Sequence, residues 1–423
     1  MPTGGLFHEK SWRVSPDPFP VPAAFAARLE KLGYQLARFL DACDELYRLS
    51  ADGRQPPWIA ELLDRGKPAH LVALGRERRF RGETARVIRP DLVLTEKGFI
   101  IAELDNVPGG IGLTAWLHDV YAPYFPGLLG GADGMLDGFA SIFPGGEIVV
   151  SDEAATYRPE MEWLANRLCE RSGEPGRWRV RGAHAGGEWS ARVYRFFELF
   201  DEPNVPCFDE LAGLVLDGRV EVTPPFKPAL EEKIWFALFW LKPLEAFWLR
   251  ALGGNTLAAL REVIPYTWPV DPAPLPPHAV LPRLDVHGWD EVARFSQKQR
   301  ALILKISGFH ETAWGARGVV LGSDVPSAEW ASALRGALDA WPDSPHLLQQ
   351  FHPARTLVHP CLSDDAIVPL RGRVRLCPYY FRDGGRAPRL GGALATICPD
   401  DKKLLHGMPD AILVPTAIVD DGG

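Results

Sequence analysis

Apolar residues recur at helical spacing from Pro22 to Leu49, with Phe25, Leu29, Leu32, Leu36, Phe39, Leu40, Cys43 and Tyr47 in register. That period predicts a long amphipathic helix. The preceding residues 1–22 are proline-rich and aperiodic and read as an extended arm, whereas 58–76 read as helix and turn. Val87–Leu94 and Phe99–Leu104 predict two strands around Glu96-Lys97-Gly98. Ile148–Val150, Trp178–Val180, Val193–Phe197 and Val220–Val222 then read as short strands, alternating with helices at Arg158–Arg171 and Cys207–Leu216. Such alternation predicts a small α/β layer with a parallel sheet. Glu231–Arg250 reads as an apolar, tryptophan-rich helix pair, and seven prolines in 264–283 mark the clearest boundary. Beyond it the pattern predicts strands at Arg300–Ile306, His346–Phe351 and Gly372–Phe381 and a helix at Glu329–Ala340.

Composition narrows this picture. The 423 residues suffice for two to three domains, with ordinary hydrophobic (46%) and charged (24%) fractions. Lys plus Arg is 46 against 54 Asp plus Glu, a net charge of −8. This argues against a basic nucleic-acid footprint. The greasiest window, Ile234–Leu249, is broken by Lys242, Pro243 and Glu245 well short of a membrane span. The first 20 residues hold no apolar segment of a secretory signal. The 6 cysteines show no Cys-x-x-Cys pair, so neither a disulfide framework nor a zinc site is expected. The expectation is a soluble, cytoplasmic protein that binds neither nucleic acid nor membrane, of open oligomeric state.

The segment R-P-D-L-V-L-T-E-K-G-F-I-I-A-E-L-D-N, residues 89–106, carries the most chemistry. A three-residue loop with Gly98 in a left-handed position would set Thr95 opposite Phe99 and Asp91 opposite Glu103. Asp105 follows on the same face because strand side chains alternate, and Arg89 lies beside them. Three clustered carboxylates repel and favour a cation, and oxygen-only ligation suits Mg²⁺. On pattern alone a solvated hairpin face is the alternative.

Lys305 sits inside the apolar run A-L-I-L-K-I-S-G, ahead of a segment with Gly308, Gly315 and Gly318. Such a segment can expose backbone N–H groups to an anion, and a lysine at a strand end can act as a point charge on phosphate. It is neither a P-loop nor a dinucleotide fingerprint. An edge-strand lysine that blocks aggregation is the alternative. Lys233, after Glu231-Glu232, reads equally as a solvated first turn of helix. Gln349 and Gln350 end a strand, where they either line an adenine pocket or face water. No nucleophile signature such as G-x-S-x-G is present, and His359 and His406 read as structural.

In order, R-x-D at 89–91, E-x-D-N-x-P-G-G at 103–110, an α/β stretch, E-E-K at 231–233, Lys305, the glycine segment and L-L-Q-Q-F at 347–351 resemble circularly permuted ATP-grasp proteins of the glutathionylspermidine-synthase-like group. The resemblance spans roughly 75–385. It implies an α/β fold of α+β character: an ATP-grasp-like core in permuted order, a small Rossmann-like pre-ATP-grasp layer and a helical N-terminal region. The implied divisions are 1–80 helical, 81–145 the metal-carboxylate hairpin part, 146–225 the pre-ATP-grasp-like domain, 226–280 apolar helices and proline-rich linker, and 281–423 the nucleotide-binding part. By the same resemblance Asp91 and Glu103 would be Mg²⁺ ligands, with Asp105 or Asn106 as the third, because E-L-D-N-V-P is one residue shorter than the family's E-x-N-x-D-x-P. Arg89 would face the γ-phosphate or acyl phosphate. Lys233 and Lys305 would hold phosphates, the segment 308–318 would close over them, and Gln349 and Gln350 would sit at the adenine hinge. The implied activity is an ATP- and Mg²⁺-dependent carboxylate–amine ligation through an acyl phosphate, on small-molecule or peptide acids and amines. A non-catalytic nucleotide-binding scaffold and a kinase on the same fold are the alternatives.

Overall fold

A computed structural model describes residues 12–276, 278–313, 317–363, 365–384, 386–405 and 410–419. Two compact units make up the chain. One comprises 1–41, 77–226 and 354–423, the other 42–76 and 227–353. The expected 281–423 segment is therefore divided between them, as is the long helix Ala23–Ala51.

The first unit is built on a seven-stranded sheet. Its order is Phe19–Pro22, Ile412–Val419, Arg389–Pro399, Ala366–Phe381, Val87–Thr95 and Gly98–Asp105, with Thr356–Ser363 also pairing Ala366–Phe381. One face buries Ile88, Leu92, Leu94, Ile101, Leu376 and Tyr380. The N-terminal part of the long helix covers that face. Phe25 meets Phe99 edge-on with ring centroids 5.7 Å apart, and the Tyr380 hydroxyl donates to the Leu29 carbonyl at 2.7 Å. Helices Ile111–Tyr121 and Gly134–Ile142 pack on the strands Arg389–Pro399 and Ile412–Val419. Strands Gly146–Val150, Trp178–Gly182, Arg192–Phe196 and Glu221–Thr223 form a second sheet, and every pairing in it is parallel. The helices Arg158–Ser172 and Phe208–Leu216 lie between its strands in sequence, as the alternation predicted.

The second unit holds a four-stranded sheet in the order Val319–Leu321, Leu302–Ile306, His346–Gln350, Thr267–Pro269, antiparallel throughout. Trp268, Leu302, Leu304 and Leu348 point to one face, against Trp330 and Leu334 of helix Ser327–Asp339. The proline-rich boundary at 264–283 is thus not only a linker, since Thr267–Pro269 is the sheet's edge strand. Pairing to Leu347–Gln349 is what makes it a strand. The expected helix pair at Glu231–Arg250 is present, with its break around Pro243. Helix Trp235–Trp240 ends ahead of Pro243, and a second helix runs from Glu245 to Leu252. Among the described residues no helix is long and apolar enough to cross a membrane.

Candidate functional site

In the hairpin, Asp91 pairs with Glu103 and Arg89 with Asp105. The route to that register differs from the expected three-residue loop. Thr95 pairs with Gly98 across a two-residue turn, Glu96-Lys97, which alone would set Asp91 one residue out of step. A bulge between Leu92–Ile101 and Asp91–Glu103 inserts Ala102 and restores the register. Bulges of this kind re-aim side chains.

The face that results is charged. Arg89 Nε lies 3.1 Å from Asp91 Oδ1 and Arg89 Nη2 lies 3.0 Å from Asp105 Oδ2. Strand Ala366–Phe381 adds Arg375, whose Nη1 donates to Asp91 Oδ2 at 3.0 Å, and Cys377, whose thiol donates to Asp91 Oδ1 at 3.4 Å. Arg89 Nη1 and the Tyr379 hydroxyl both donate to the Gly109 carbonyl, at 3.1 and 2.8 Å. Gly110 follows with φ +85°, where a Cβ would lie 2.5 Å from the Tyr379 hydroxyl, so the chain enters helix Ile111–Tyr121 through a position that demands glycine. The carboxylate of Glu160 accepts from the backbone N–H of Gly110 and Leu113 at 2.7 and 3.3 Å, capping that helix.

The two aspartates differ electrostatically. Burial, the largest influence on Asp91, works to raise its carboxyl. Arg89 and Arg375 outweigh it and hold the group below the ordinary aspartate value. Asp105 is raised, first by burial and then by Glu103 and Asp91, against Arg89 and the Val107 N–H. The Cys377 thiol is pushed up to about 12 by burial and then by Asp91, so it stays protonated. Asn106 follows the strand and is buried.

Of the expected metal set of Asp91, Glu103, Asp105 and Asn106, Asp91 is the one surrounded by cations. Asp91 is 5% exposed and faces two guanidiniums. Among the described residues no group of three His, Cys, Asp or Glu side chains is placed to hold a metal. Asp105 also meets Arg89, but burial and then Glu103 raise its carboxyl, so Glu103 and Asp105 are the less neutralised pair. Two carboxylates are also what Mg²⁺ usually takes from a protein when substrate phosphates supply the rest.

The second unit gathers the expected phosphate ligands. Strand Leu302–Ile306 has neighbours on both sides, so Lys305 is not an edge lysine. It is 8% exposed, and its ammonium donates to Gln349 Oε1 at 2.9 Å. Gln349 Nε2 in turn donates to Thr267 Oγ1 at 3.2 Å, so this amide lies along the sheet face, whereas Gln350 is exposed. Lys233 precedes helix Trp235–Trp240. It is not a solvated first turn, because its ammonium donates to the Ala313 carbonyl at 2.6 Å and its N–H to the Ser307 carbonyl at 3.1 Å. Gly308 follows directly, where a Cβ would lie 2.3 Å from the Glu231 carbonyl oxygen. Gly318 precedes strand Val319–Leu321, and Gly315 lies outside the described residues, as does His406. Lys233, Lys305, Gly308 and Gln349 are thus neighbours in one unit, while Arg89, Asp91, Glu103 and Asp105 are neighbours in the other.

Sequence reasoning passed over Arg375, Cys377 and Tyr379. They occupy alternate positions of a strand whose existence was legible, and the polar alternation R-x-R-x-C-x-Y at 373–379 was the signal that could have found them. It also passed over Lys67, whose partner Glu232 is far away in sequence and which no local pattern marks.

No family model matches the sequence, and no curated protein sequence matches it. Among solved structures, a protein described as a gamma-glutamylcysteine synthetase from Methylobacillus flagellatus KT aligns at a TM-score of 0.42 and 12% identity, over 93% of this chain and 88% of that one. A glutathione synthetase-like effector from Globodera pallida, in its apo form, aligns over 96% of this chain and 90% of its own, with a TM-score of 0.52 and 13% identity. In fold, then, this mixed α/β chain is similar to a glutathione synthetase-like effector.

Proposed function

We propose that the chain is an ATP- and Mg²⁺-dependent carboxylate–amine ligase of the permuted ATP-grasp type, working through an acyl phosphate. The observation that carries the reading is the charged sheet face. Arg89, Asp91, Glu103, Asp105 and Arg375, from three adjacent strands, stand together where a merely structural sheet would bury apolar side chains. The fold similarity to a glutathione synthetase-like effector supports it.

In the proposed reaction a substrate carboxylate oxygen attacks the γ-phosphorus as its bond to the ADP oxygen breaks. An amine then attacks the acyl carbon and phosphate departs with the bonding pair. Such chemistry asks the protein mainly to position groups and neutralise charge. Arg89 and Arg375 are fixed by Asp91 and Asp105 before any substrate arrives, so their positive charge needs little reorganisation to meet a developing oxyanion. Glu103 and Asp105 would hold Mg²⁺, which would offset repulsion between phosphate oxygens. Lys305 and Lys233 would bind phosphates as point charges. Which acid and which amine are joined is open to a substrate screen.

Hydroxylamine trapping tests the reading. With MgATP, an acid library and hydroxylamine as the amine, an acyl phosphate gives a hydroxamate that iron(III) colours. Hydroxamate that depends on both ATP and an acid supports ligation. ADP formed with hydroxyl compounds and no hydroxamate with any acid would instead make the protein a kinase.

A further inference from the structure

Within the unit that carries Lys233 and Lys305, one carboxylate is enclosed rather than solvated. The Glu232 side chain is 4% exposed and that of Lys67 only 1%. The Lys67 ammonium is bonded to Glu232 Oε1, and the Ser307 hydroxyl donates to Glu232 Oε2. Ser307 Oγ also accepts from the Ile234 N–H at 2.9 Å. The Ser307 carbonyl accepts from the Lys233 N–H at 3.1 Å, and its own N–H donates to the Pro345 carbonyl at 2.9 Å. A single carboxylate therefore ties together the turn before helix Ala69–Gly75, the Glu231–Ile234 turn and the end of the strand that bears Lys305. The Lys67 ammonium also lies 5.4 Å from the centroid of the Phe309 ring, and Phe309 itself has φ +38°.

A buried ion pair is a poor source of stability, since desolvation offsets most of its attraction, and its best-attested use is to fix one arrangement among several. The arrangement at stake here is the spacing between Lys233, in the turn, and Lys305, two residues before Ser307. Lys67 has a second effect. It offsets the charge of Glu232, so the carboxylate acts here through its geometry rather than as a net negative charge.

We infer that Glu232 is a positioning residue for nucleotide phosphates: it locks Lys233 to the Ser307 end of the Lys305 strand, with Lys67 as its dedicated counter-ion. The inference rests on the proposed nucleotide-binding function and adds residues that the sequence motifs do not mark.

The two roles Glu232 could play predict opposite signs. Glu232→Gln removes a negative charge near a phosphate site, so if the carboxylate acted on phosphates only through its charge, MgATP would bind more tightly. If it positions Lys233, binding weakens. Calorimetric titration of MgATP into the full chain should give about tenfold weaker binding for Glu232→Gln, the scale of one charge-assisted hydrogen bond. Ser307→Ala, which breaks the bridge without a change of charge, should weaken binding in the same direction. In a Lys233→Ala background Glu232→Gln should add less than about twofold, because the two residues act through one another. Wild-type or tighter affinity in Glu232→Gln, even with a lowered melting temperature, overturns the inference, as does an undiminished loss in the Lys233→Ala background. If Glu232→Gln does not fold, Ser307→Ala decides alone, and wild-type affinity in that variant overturns it. A wild type that binds no MgATP overturns the functional reading itself, and the inference falls with it.

Discussion

The two charged regions of this molecule handle their ions in opposite ways. On the seven-stranded sheet, cations and anions alternate in one chain of contacts, Asp105–Arg89–Asp91–Arg375, so each carboxylate meets a guanidinium. On the four-stranded sheet, the ammoniums of Lys305 and Lys233 reach neutral oxygens, the Gln349 amide and the Ala313 carbonyl, while Lys67 and Glu232 balance each other nearby. The first region is organised in advance around Asp91 and its two arginines. The second fixes its ammoniums through an amide and a backbone carbonyl. Changes at Arg89 and Asp91 should therefore register mainly in folding, and changes at Lys305 and Lys233 mainly in binding.

The largest expected effect is on Arg89. Arg89→Met leaves the buried Asp91 and the half-buried Asp105 without the guanidinium they share, and should cost about 3–5 kcal/mol in denaturant unfolding, the usual penalty for breaking a buried ion pair from one side. A loss within experimental error would mean that the network is solvated. Next comes Glu103→Gln, which keeps shape and a carbonyl oxygen but removes the charge proposed to face the metal. ADP formation should fall by about 10²-fold while the melting temperature in EDTA stays level or rises. Full turnover would reduce Glu103 to a surface charge. Lys305→Ala should weaken MgATP binding by about tenfold, the value of one charge-assisted contact. Lys97→Ala, in the exposed hairpin turn, should leave it unchanged. Equal affinity in both would remove Lys305 from the site.

A smaller effect separates the two aspartates within the first region. Asp91 has a lowered carboxyl, so its contribution is complete above the ordinary aspartate range near about 4 and is lost as pH falls through the lower folded value. Asp105 has a raised carboxyl, so its contribution is present below that range and is lost as pH rises through the raised value. At pH 7, Asp91→Asn should therefore lower the melting temperature, whereas Asp105→Asn should leave it level or raise it. On acidification the wild type should lose stability that Asp91→Asn does not. Identical behaviour of the two variants would show that the arginines do not discriminate between them.

The sequence reading succeeded where one local rule decided the outcome. The amphipathic period of Ala23–Ala51 and the alternation around Asp91 and Glu103 are such cases. Even there, the pairing of Asp91 with Glu103 came out right because two departures cancel, a shorter turn at Glu96-Lys97 and the inserted Ala102. It fell short where tertiary pairing outweighs local signal. Arg389–Pro399 is almost wholly buried and Ile412–Val419 buries Val414 to Ala417 in a row, so they lack alternation, and Gly391-Gly392 and Pro415 break the run a strand would show. Thr267–Pro269 is a strand because Leu347–Gln349 lies beside it. Of the charged face, the anions and Arg89 were legible because they share one hairpin. Arg375 was not, because its partner Asp91 is 284 positions away. That distance changes the chemistry inferred, from three repelling carboxylates to a network in which one of them is already neutralised.

The most direct measurement is ADP release by the wild type with MgATP, an acid library and an amine library, each also supplied alone. The account predicts sustained ADP turnover that needs both an acid and an amine and stops in EDTA. Steady ADP turnover indifferent to the amine, or no ADP formation with any pair although MgATP binds, would contradict it.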